Sequence, residues 1–549
     1  MENAAIRENF ASDIYCSGAS MAKAQVLDSL PADLAQLHRS GDIHIHDLEA
    51  FGKLYNCCTP DLCKYLLQRS YSARSGCGKI LQVFEEIKLL ITQLAVVQSG
   101  GIGFGNFDID IEQVFRALNL EEDERTTAFL DEVMGEFITW INRTRTRFCR
   151  ESYYLTINLG LAQGFWGRAI TRSLVQGFLC SPANYTKPNI VFKVVRRVNG
   201  QPGTVNFDLY QLALRCTAAR MIPTYLLMDS TPNCVCNPKL LNIMGCRTRV
   251  YDNTAGDAGT IGRGNIAYTS INLPRIALSC KSMKAFYRRL AQLMESCCRL
   301  VDIRNQQMIQ FGQRYIDFIF KEEIWRSTSN LDELLCQGTY SIGFIGLSEA
   351  VELLTGEKMY QSQAGKALAA EIVKTMNAFI MNRRSATGMN WSLLATPGEM
   401  ISGRFCSSDR EYFPHPIQDK GFYTNSFHVD VDSGLTPFEK LAFEGPFHAL
   451  CTGGSISYVE FSSALLENTQ AVSDVLSIAE KYGVSYLGIN FPLDICGNCG
   501  QDGTFDQCPH CGSWNVTHIR RVSGYLENAA FFTDGKKAEA TCRQPNAKG

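Results

Sequence analysis

The sequence predicts an α/β fold that carries a small metal-binding region near its C-terminal end. Three observations predict it. Short β-rich runs alternate with long helical patterns. The 549 residues, 45% of them hydrophobic, suffice for a large buried core. Two Cys-x2-Cys pairs stand close together after residue 495.

Ser20, Met21, Ala24, Leu27, Leu30 and Leu34 have helical spacing, so residues 20–40 are expected to form helix, broken near Pro31 and closed by Gly41-Asp42. A second apolar helix is predicted over 80–98, ended by Gly100-Gly101. Long helical patterns return at 125–148, 207–221, 281–300 and 362–383. Between them, 153–159, 190–198, 266–273 and 455–461 are β-rich. Strands and helices of these lengths favour a sheet covered by helices. Their pattern does not show whether the sheet closes.

Charge and cysteine usage narrow the function. With 53 basic and 55 acidic residues the formal charge is −2, which offers no general attraction to nucleic acid. Residues 1–10 carry Glu2, Arg7 and Glu8 and lack an apolar run of signal length, and nowhere do the roughly 18 uninterrupted apolar residues of a membrane span occur. The expectation is a cytoplasmic protein without a membrane partner. Twenty-two cysteines in so long a chain read as free thiols rather than a disulfide scaffold, and suit an oxygen-poor cell interior.

Four of those cysteines have a definite role. Cys496, Cys499, Cys508 and Cys511 form two Cys-x2-Cys knuckles that can fold back into a tetrahedron of thiolates around one Zn2+. Four protein ligands leave no open position, so the ion would be structural and would hold the loop that follows. That loop contains Arg521-Val522-Ser523-Gly524-Tyr525-Leu526, which composition alone reads as a glycine turn. A glycine-rich run, 100–108, lacks the Lys-Ser/Thr ending of a P-loop and is expected to be a tight loop whose backbone N–H groups line a site. His44 and His46 are at i and i+2, on one face if the segment is a strand; either could move a proton, or both could be hydrogen-bonded core histidines, and the same two readings hold for His428.

The Arg521 to Tyr525 segment resembles the Arg-Val-x-Gly-Tyr signature of glycyl radical enzymes. Several further segments, in order, resemble the anaerobic (class III) ribonucleoside-triphosphate reductases. They are Gly41-Asp42-Ile43-His44-Ile45-His46-Asp47-Leu48, Tyr55-Asn56-Cys57, Met244-Gly245-Cys246-Arg247, Gly262-Arg263-Gly264-Asn265, Ser270 to Leu278, and Asp419 to His428. The resemblance implies a ten-stranded α/β barrel of the glycyl radical enzyme type over 1–485, with the zinc ribbon and radical loop in 486–549. It implies a stored radical on Gly524, installed by a separate radical-AdoMet activating enzyme, and a thiyl radical on Cys246 that removes the 3′-hydrogen of a ribonucleoside triphosphate. Cys57 matches the second cysteine, with Cys58 as the neighbouring alternative. Asn265 matches the asparagine that positions sugar or formate, with Asn272 in reserve. Formate as co-substrate, a homodimer and an effector site for nucleotides are implied in the same way.

Two features depart from relatives. Many carry an N-terminal ATP-cone, whereas here the catalytic part is expected to begin directly, without overall control by dATP. Ser523 replaces a frequent cysteine. Two rival readings remain on these residues: a pyruvate formate-lyase type of enzyme using Cys57-Cys58 or Cys297-Cys298, and a zinc ribbon that binds nucleic acid, which the charge disfavours.

Overall fold

A computed structural model describes residues 10–145, 153–326, 330–521 and 523–546. The strands β1 (Cys57–Thr59), β2 (Ile102–Phe104), β3 (Leu155–Leu159), β4 (Asn189–Val194) and β5 (Thr224–Leu227) lie side by side in chain order, all parallel. A second parallel set is β6 (Arg263–Asn272), β7 (Thr339–Ile345) and β8 (Asn390–Ala395), followed by β9 (Ser457–Glu460) and β10 (Tyr486–Asn490). Leu394 bridges in parallel to Gly454, just before β9, with Ala395 N donating to Gly454 O at 3.0 Å and Gly453 N to Leu393 O at 2.8 Å. The two halves meet antiparallel at both seams, Cys57 opposite Asn265 and Tyr486 opposite Leu226. The result is the expected ten-stranded α/β barrel.

Parallel strands covered by helices are buried on both faces and so read as apolar runs rather than alternations. Every residue of β4 and of β7 is buried. Helices Gly76–Val97, Glu124–Arg143, Phe207–Arg220, Met283–Gln307 and Gln363–Thr387 fall on the predicted patterns. Of the pattern at 125–148, residues 146–148 lie outside the described residues. The first pattern extends back to Phe10 and splits at Pro31 into Phe10–Ser29 and Ala32–Ser40, capped by Gly41 at φ 85°. Two β runs stop early for local reasons. After Val194 the Val195 carbonyl accepts from the N–H groups of Val198, Asn199 and Gly200, turning the chain. At the end of β6 the Asn272 side chain accepts from Arg275 N and caps helix Leu273–Ser279.

The barrel runs past the expected boundary at residue 485, because β10 belongs to it. A separate small sheet follows, in which Leu493–Cys496 pairs with Val516–Arg521, and the latter with Leu526–Asn528. No helix among the described residues is long and apolar enough to cross a membrane.

An eight-stranded barrel is just wide enough for side chains to fill, so ten strands leave room for chain inside. A hairpin, Ile243–Met244 against Thr248–Arg249, occupies that room together with the loop after Arg521. The seam beside it tolerates no extra atom, since a Cβ on Gly264 would lie 2.1 Å from Cys57 O and 2.8 Å from the Trp325 ring. Gly264→Ala is therefore expected to force β1 and β6 apart and to destabilise the protein by about 1–3 kcal/mol, read as a lowered midpoint in thermal unfolding.

Candidate active site

The hairpin is fixed from three sides. Asn158 Nδ2 donates to Ile243 O (2.8 Å) while Asn158 Oδ1 accepts from Ile243 N (2.9 Å). Thr156 Oγ1 donates to Gly245 O (2.6 Å), and Arg249 N donates to Gly453 O (2.9 Å). Gly245, at φ 58°, makes the turn and delivers Cys246 to the barrel centre.

Gly524 meets Cys246 there. A Cβ on Gly524 would stand 2.2 Å from Cys246 O and 2.5 Å from Cys246 Cα and Cβ, so only glycine fits. Its loop is held by groups on its flanking carbonyls: Tyr458 donates to Ser523 O, and Arg521 Nη1 donates to Gly524 O at 3.0 Å. Arg521 also donates to Asn490 Oδ1 and to Met221 O, both at 2.5 Å. The Ser523 hydroxyl donates to Glu399. Tyr525 lies against Tyr154, ring centroids 4.8 Å apart, with the Lys187 ammonium over both rings.

Beside this contact is a cleft of about 720 Å3 including its mouth, lined by Cys57, Cys246, Asp47, Tyr268, Glu399 and Tyr525 among others. Cys57 faces it. The Cys57 thiol donates to Asn56 Oδ1 (2.8 Å) and accepts from Gly101 N (3.1 Å), and Asn56 in turn donates to Asp47 Oδ2 (2.7 Å). Gly100 and Gly101 also line the cleft, but their N–H groups are taken by Asn56 O and Cys57 Sγ, and within the run expected to be a tight loop Ile102–Phe104 is strand β2. Cys58 points the other way, toward Gln98 Oε1 (3.1 Å) and the Tyr55 hydroxyl (3.7 Å). Burial raises the Cys57 and Cys246 thiols above their ordinary range and lifts Cys58 to about 12. Burial also raises Glu399. The two cysteines facing the cleft are thus held as S–H, the form that can give up a hydrogen atom.

The other residues singled out in the sequence stand farther back. Asn265 lies opposite Cys57 across the seam, its amide donating to Thr339 Oγ1 and Ser341 Oγ, each at 3.1 Å. Asn272 donates to Gly41 O and Asp409 while capping its helix, a structural task. His44 does not line the cleft: its Nδ1 lies 2.9 Å from Arg404 Nη1 and its ring edges Phe405. His46 is nearer, stacked at 3.8 Å on Tyr268, with Nε2 2.9 Å from Ser270 Oγ. His428 faces Glu444 Oε1 at 3.3 Å. Cys297 and Cys298 are buried in a helix in the hydrophobic core, so no adjacent cysteine pair among the described residues faces the cleft. Asp47, Asn56, Tyr154, Glu399 and Tyr525 were not picked out from sequence. Asn56 and Tyr525 adjoin residues that were, but the polar and aromatic residues of strands and loops carry no mark of which cavity they face.

The four C-terminal cysteines converge, their Sγ atoms all within 4.8 Å of one another, with Cys496 to Cys511 at 3.5 Å and Cys499 to Cys508 at 3.6 Å. A tetrahedron with Zn–S bonds of about 2.3 Å has S···S edges of about 3.8 Å. The donor set fits a zinc ion, and backbone N–H groups of Cys499 and Asn498 draw Cys496 down to about 6.

Fold and site define an α/β-barrel enzyme whose central cleft holds a cysteine against a backbone glycine. The chain belongs to the anaerobic ribonucleoside-triphosphate reductase family, matching it over residues 2–545, and is thereby an oxidoreductase. It is 30% identical to the anaerobic ribonucleoside-triphosphate reductase of Salmonella typhimurium over 94% of this chain and 78% of that protein. Among solved structures it is similar to an anaerobic ribonucleotide reductase at TM-score 0.74 and 14% identity, covering 96% of this chain and 87% of that one. It is also similar to the Thermotoga maritima anaerobic ribonucleotide reductase in complex with dATP and CTP, at TM-score 0.70 and 13% identity, covering 96% and 89%. These likenesses bear out the family, and with it set aside the lyase and nucleic-acid readings.

Two outcomes follow. Elemental analysis of purified protein is expected to find one zinc per chain, with Cys508→Ser losing it. Iodoacetamide at pH 8 is expected to label the exposed Cys180 and Cys234 well before Cys57, because a thiol with a raised pKa has less thiolate at that pH; mass spectrometry of partial digests reads the order.

Proposed function

We propose that this protein reduces ribonucleoside triphosphates to 2′-deoxyribonucleoside triphosphates by glycyl and thiyl radical chemistry, with formate as the reductant. The observation that carries the reading is the backbone contact of Gly524 with Cys246 at the edge of a cleft that Cys57 also faces. Membership of the reductase family and the complex of a structural relative with CTP support the substrate class.

Only glycine lacks a Cβ, so a radical at its Cα can be planar and spread into both flanking amides. In this protein both flanking carbonyls accept hydrogen bonds, from Tyr458 and Arg521, which suits a stored spin. An activating enzyme of the radical-AdoMet type would remove the Gly524 hydrogen. Cys246 then gives its S–H hydrogen to Gly524 and the thiyl takes the 3′-hydrogen of the sugar. The 2′-hydroxyl leaves, protonated, as water, and Cys57 supplies a hydrogen atom to C2′. Formate supplies both electrons, one with the hydrogen that restores the Cys57 thiol and one as the carboxyl radical leaves as carbon dioxide. A proton completes the balance, and the 3′-hydrogen returns from Cys246. Asn265, on the Cys57 seam, is the residue assigned to positioning sugar or formate; His44, behind Arg404, would act only through His46 and Tyr268.

The unit from Leu493 onward is assigned to carrying the metal and the radical glycine, the metal serving structure alone. A homodimer with a nucleotide specificity site completes the reading, consistent with the dATP in the specificity site of a structural relative. After anaerobic activation with AdoMet, a reductant and the cognate activase, wild type is expected to show a glycyl doublet by electron paramagnetic resonance and Gly524→Ala none. Cys246→Ser should keep the doublet yet lose reduction of CTP by about three orders of magnitude or more, as removal of a reacting group does. Labelled formate should yield carbon dioxide in step with dCTP. A competent activase that raises no signal in the wild type would sink the mechanism.

A further inference from the structure

Tyr525 is only 8% exposed, and its hydroxyl has no hydrogen-bond partner among the described residues. Thr156 Oγ1, beside it, directs its own hydrogen to Gly245 O at 2.6 Å and so offers the phenol only a lone pair. The ring lies against that of Tyr154, tilted by 54°, with the Lys187 ammonium 4.9 Å from the Tyr525 ring and 5.2 Å from that of Tyr154. The hydroxyl points into the cleft, at the place where the two cysteine-bearing segments approach. A Cβ on Gly101 would lie 3.0 Å from it; one on Gly245 would lie 3.7 Å from it and 3.6 Å from Cys57 Sγ. A buried hydroxyl without a partner is unfavourable and is satisfied when a ligand supplies one.

We propose that the Tyr525 hydroxyl is a substrate-positioning group that hydrogen-bonds a ribose hydroxyl of the nucleotide lying between Cys57 and Cys246. The inference rests on the ribonucleotide reading above. The sugar is the part of a nucleotide that must lie between those two sulfurs. A triphosphate would need a cation at this spot, but Lys187 is covered by the two rings and donates to Leu526 O at 3.4 Å, and Arg247 is turned to Ala395 O and the Tyr458 hydroxyl. Because Tyr525 follows Gly524, the segment that carries the spin also completes the sugar site. Nucleotide binding and docking of that segment are then reciprocally linked: whatever favours one favours the other.

Calorimetric titration of unactivated protein tests this without a radical. CTP, 2′-deoxy-CTP and 3′-deoxy-CTP are titrated into wild type and Tyr525→Phe, which keeps the ring and its contact with Tyr154. CTP should bind the variant about 3- to 10-fold more weakly, the worth of one hydrogen bond. That penalty should disappear with the analogue lacking the paired hydroxyl. After activation, KM for CTP should rise while spins per chain stay unchanged. Thermal unfolding of the free variant should show no loss of stability, whereas a purely structural hydroxyl would lower the midpoint. Equal CTP affinity in the two proteins, or an equal penalty with all three nucleotides, overturns the assignment. Failure of wild type itself to bind CTP would overturn the ribonucleotide reading instead.

Discussion

Everything at the centre of this protein depends on a missing side chain. The chain passes Cys246 so closely at position 524 that the smallest possible substituent, one methyl carbon, would lie 2.2 Å from a carbonyl oxygen. Such contact between two backbones is stable only if both are immobilised from behind, and both are. The hairpin is gripped by Thr156 and Asn158 of β3 in one half of the barrel and by Gly453 beside β9 in the other. The glycine loop is gripped by Arg521, whose guanidinium reaches Met221 at the end of a barrel helix, Asn490 on β10 and Gly524 itself. The absence of a Cβ at this one position is what lets the two backbones meet.

The barrel explains why such a contact can be buried at all. Two five-stranded parallel halves joined antiparallel make a ring wider than one that side chains alone fill, and the inserted loops take up the excess. Burial keeps Cys57 and Cys246 protonated, which would cripple a nucleophilic cysteine but suits hydrogen-atom transfer. The same enclosure raises Glu399, whose carboxyl is tied to Ser523 beside the glycine. Burial thus acts in one direction on the two thiols and on this carboxyl, raising all three.

The sequence disclosed these features unevenly, for physical reasons. The convergence of the four C-terminal cysteines was legible from spacing alone, since two knuckles in a short segment have few other ways to fold. The helices were legible because their apolar faces repeat, as Gly76–Val97 and Gln363–Thr387 show. The choice between Cys57 and Cys58 was not, because neighbours on a strand face opposite ways and the chain does not state which side is the cavity. Asn265 and Asn272 look alike as residues and differ only in that one ends a strand and caps a helix. His44 has the composition of a catalytic group, yet Arg404 and Phe405 enclose it away from the cleft. The approach of Gly524 to Cys246 has no periodic signature whatever, and only resemblance brought the two together before the fold did.

The small C-terminal sheet links the cysteine cluster to a site that the cluster never touches. Strand Val516–Arg521 pairs at its start with Cys496 and at its end with Leu526, so the four sulfurs and Gly524 lie at opposite ends of one ladder. Between them Asp494 binds the ladder crosswise, with His518 Nδ1 at 2.8 Å, Arg520 Nη1 at 2.7 Å and Phe505 N at 2.9 Å. Fraying from the cysteine end must pass this buried carboxylate before it reaches Arg521. Arg521 in turn is anchored to the barrel through Asn490 and Met221, independently of the small sheet. The strand that leads into the glycine loop is therefore held at both ends, by the cysteine knuckles at one and by the Arg521 guanidinium at the other. Of these, only the guanidinium also bonds the carbonyl of Gly524, so it is the support that acts directly on the peptide group of the glycine.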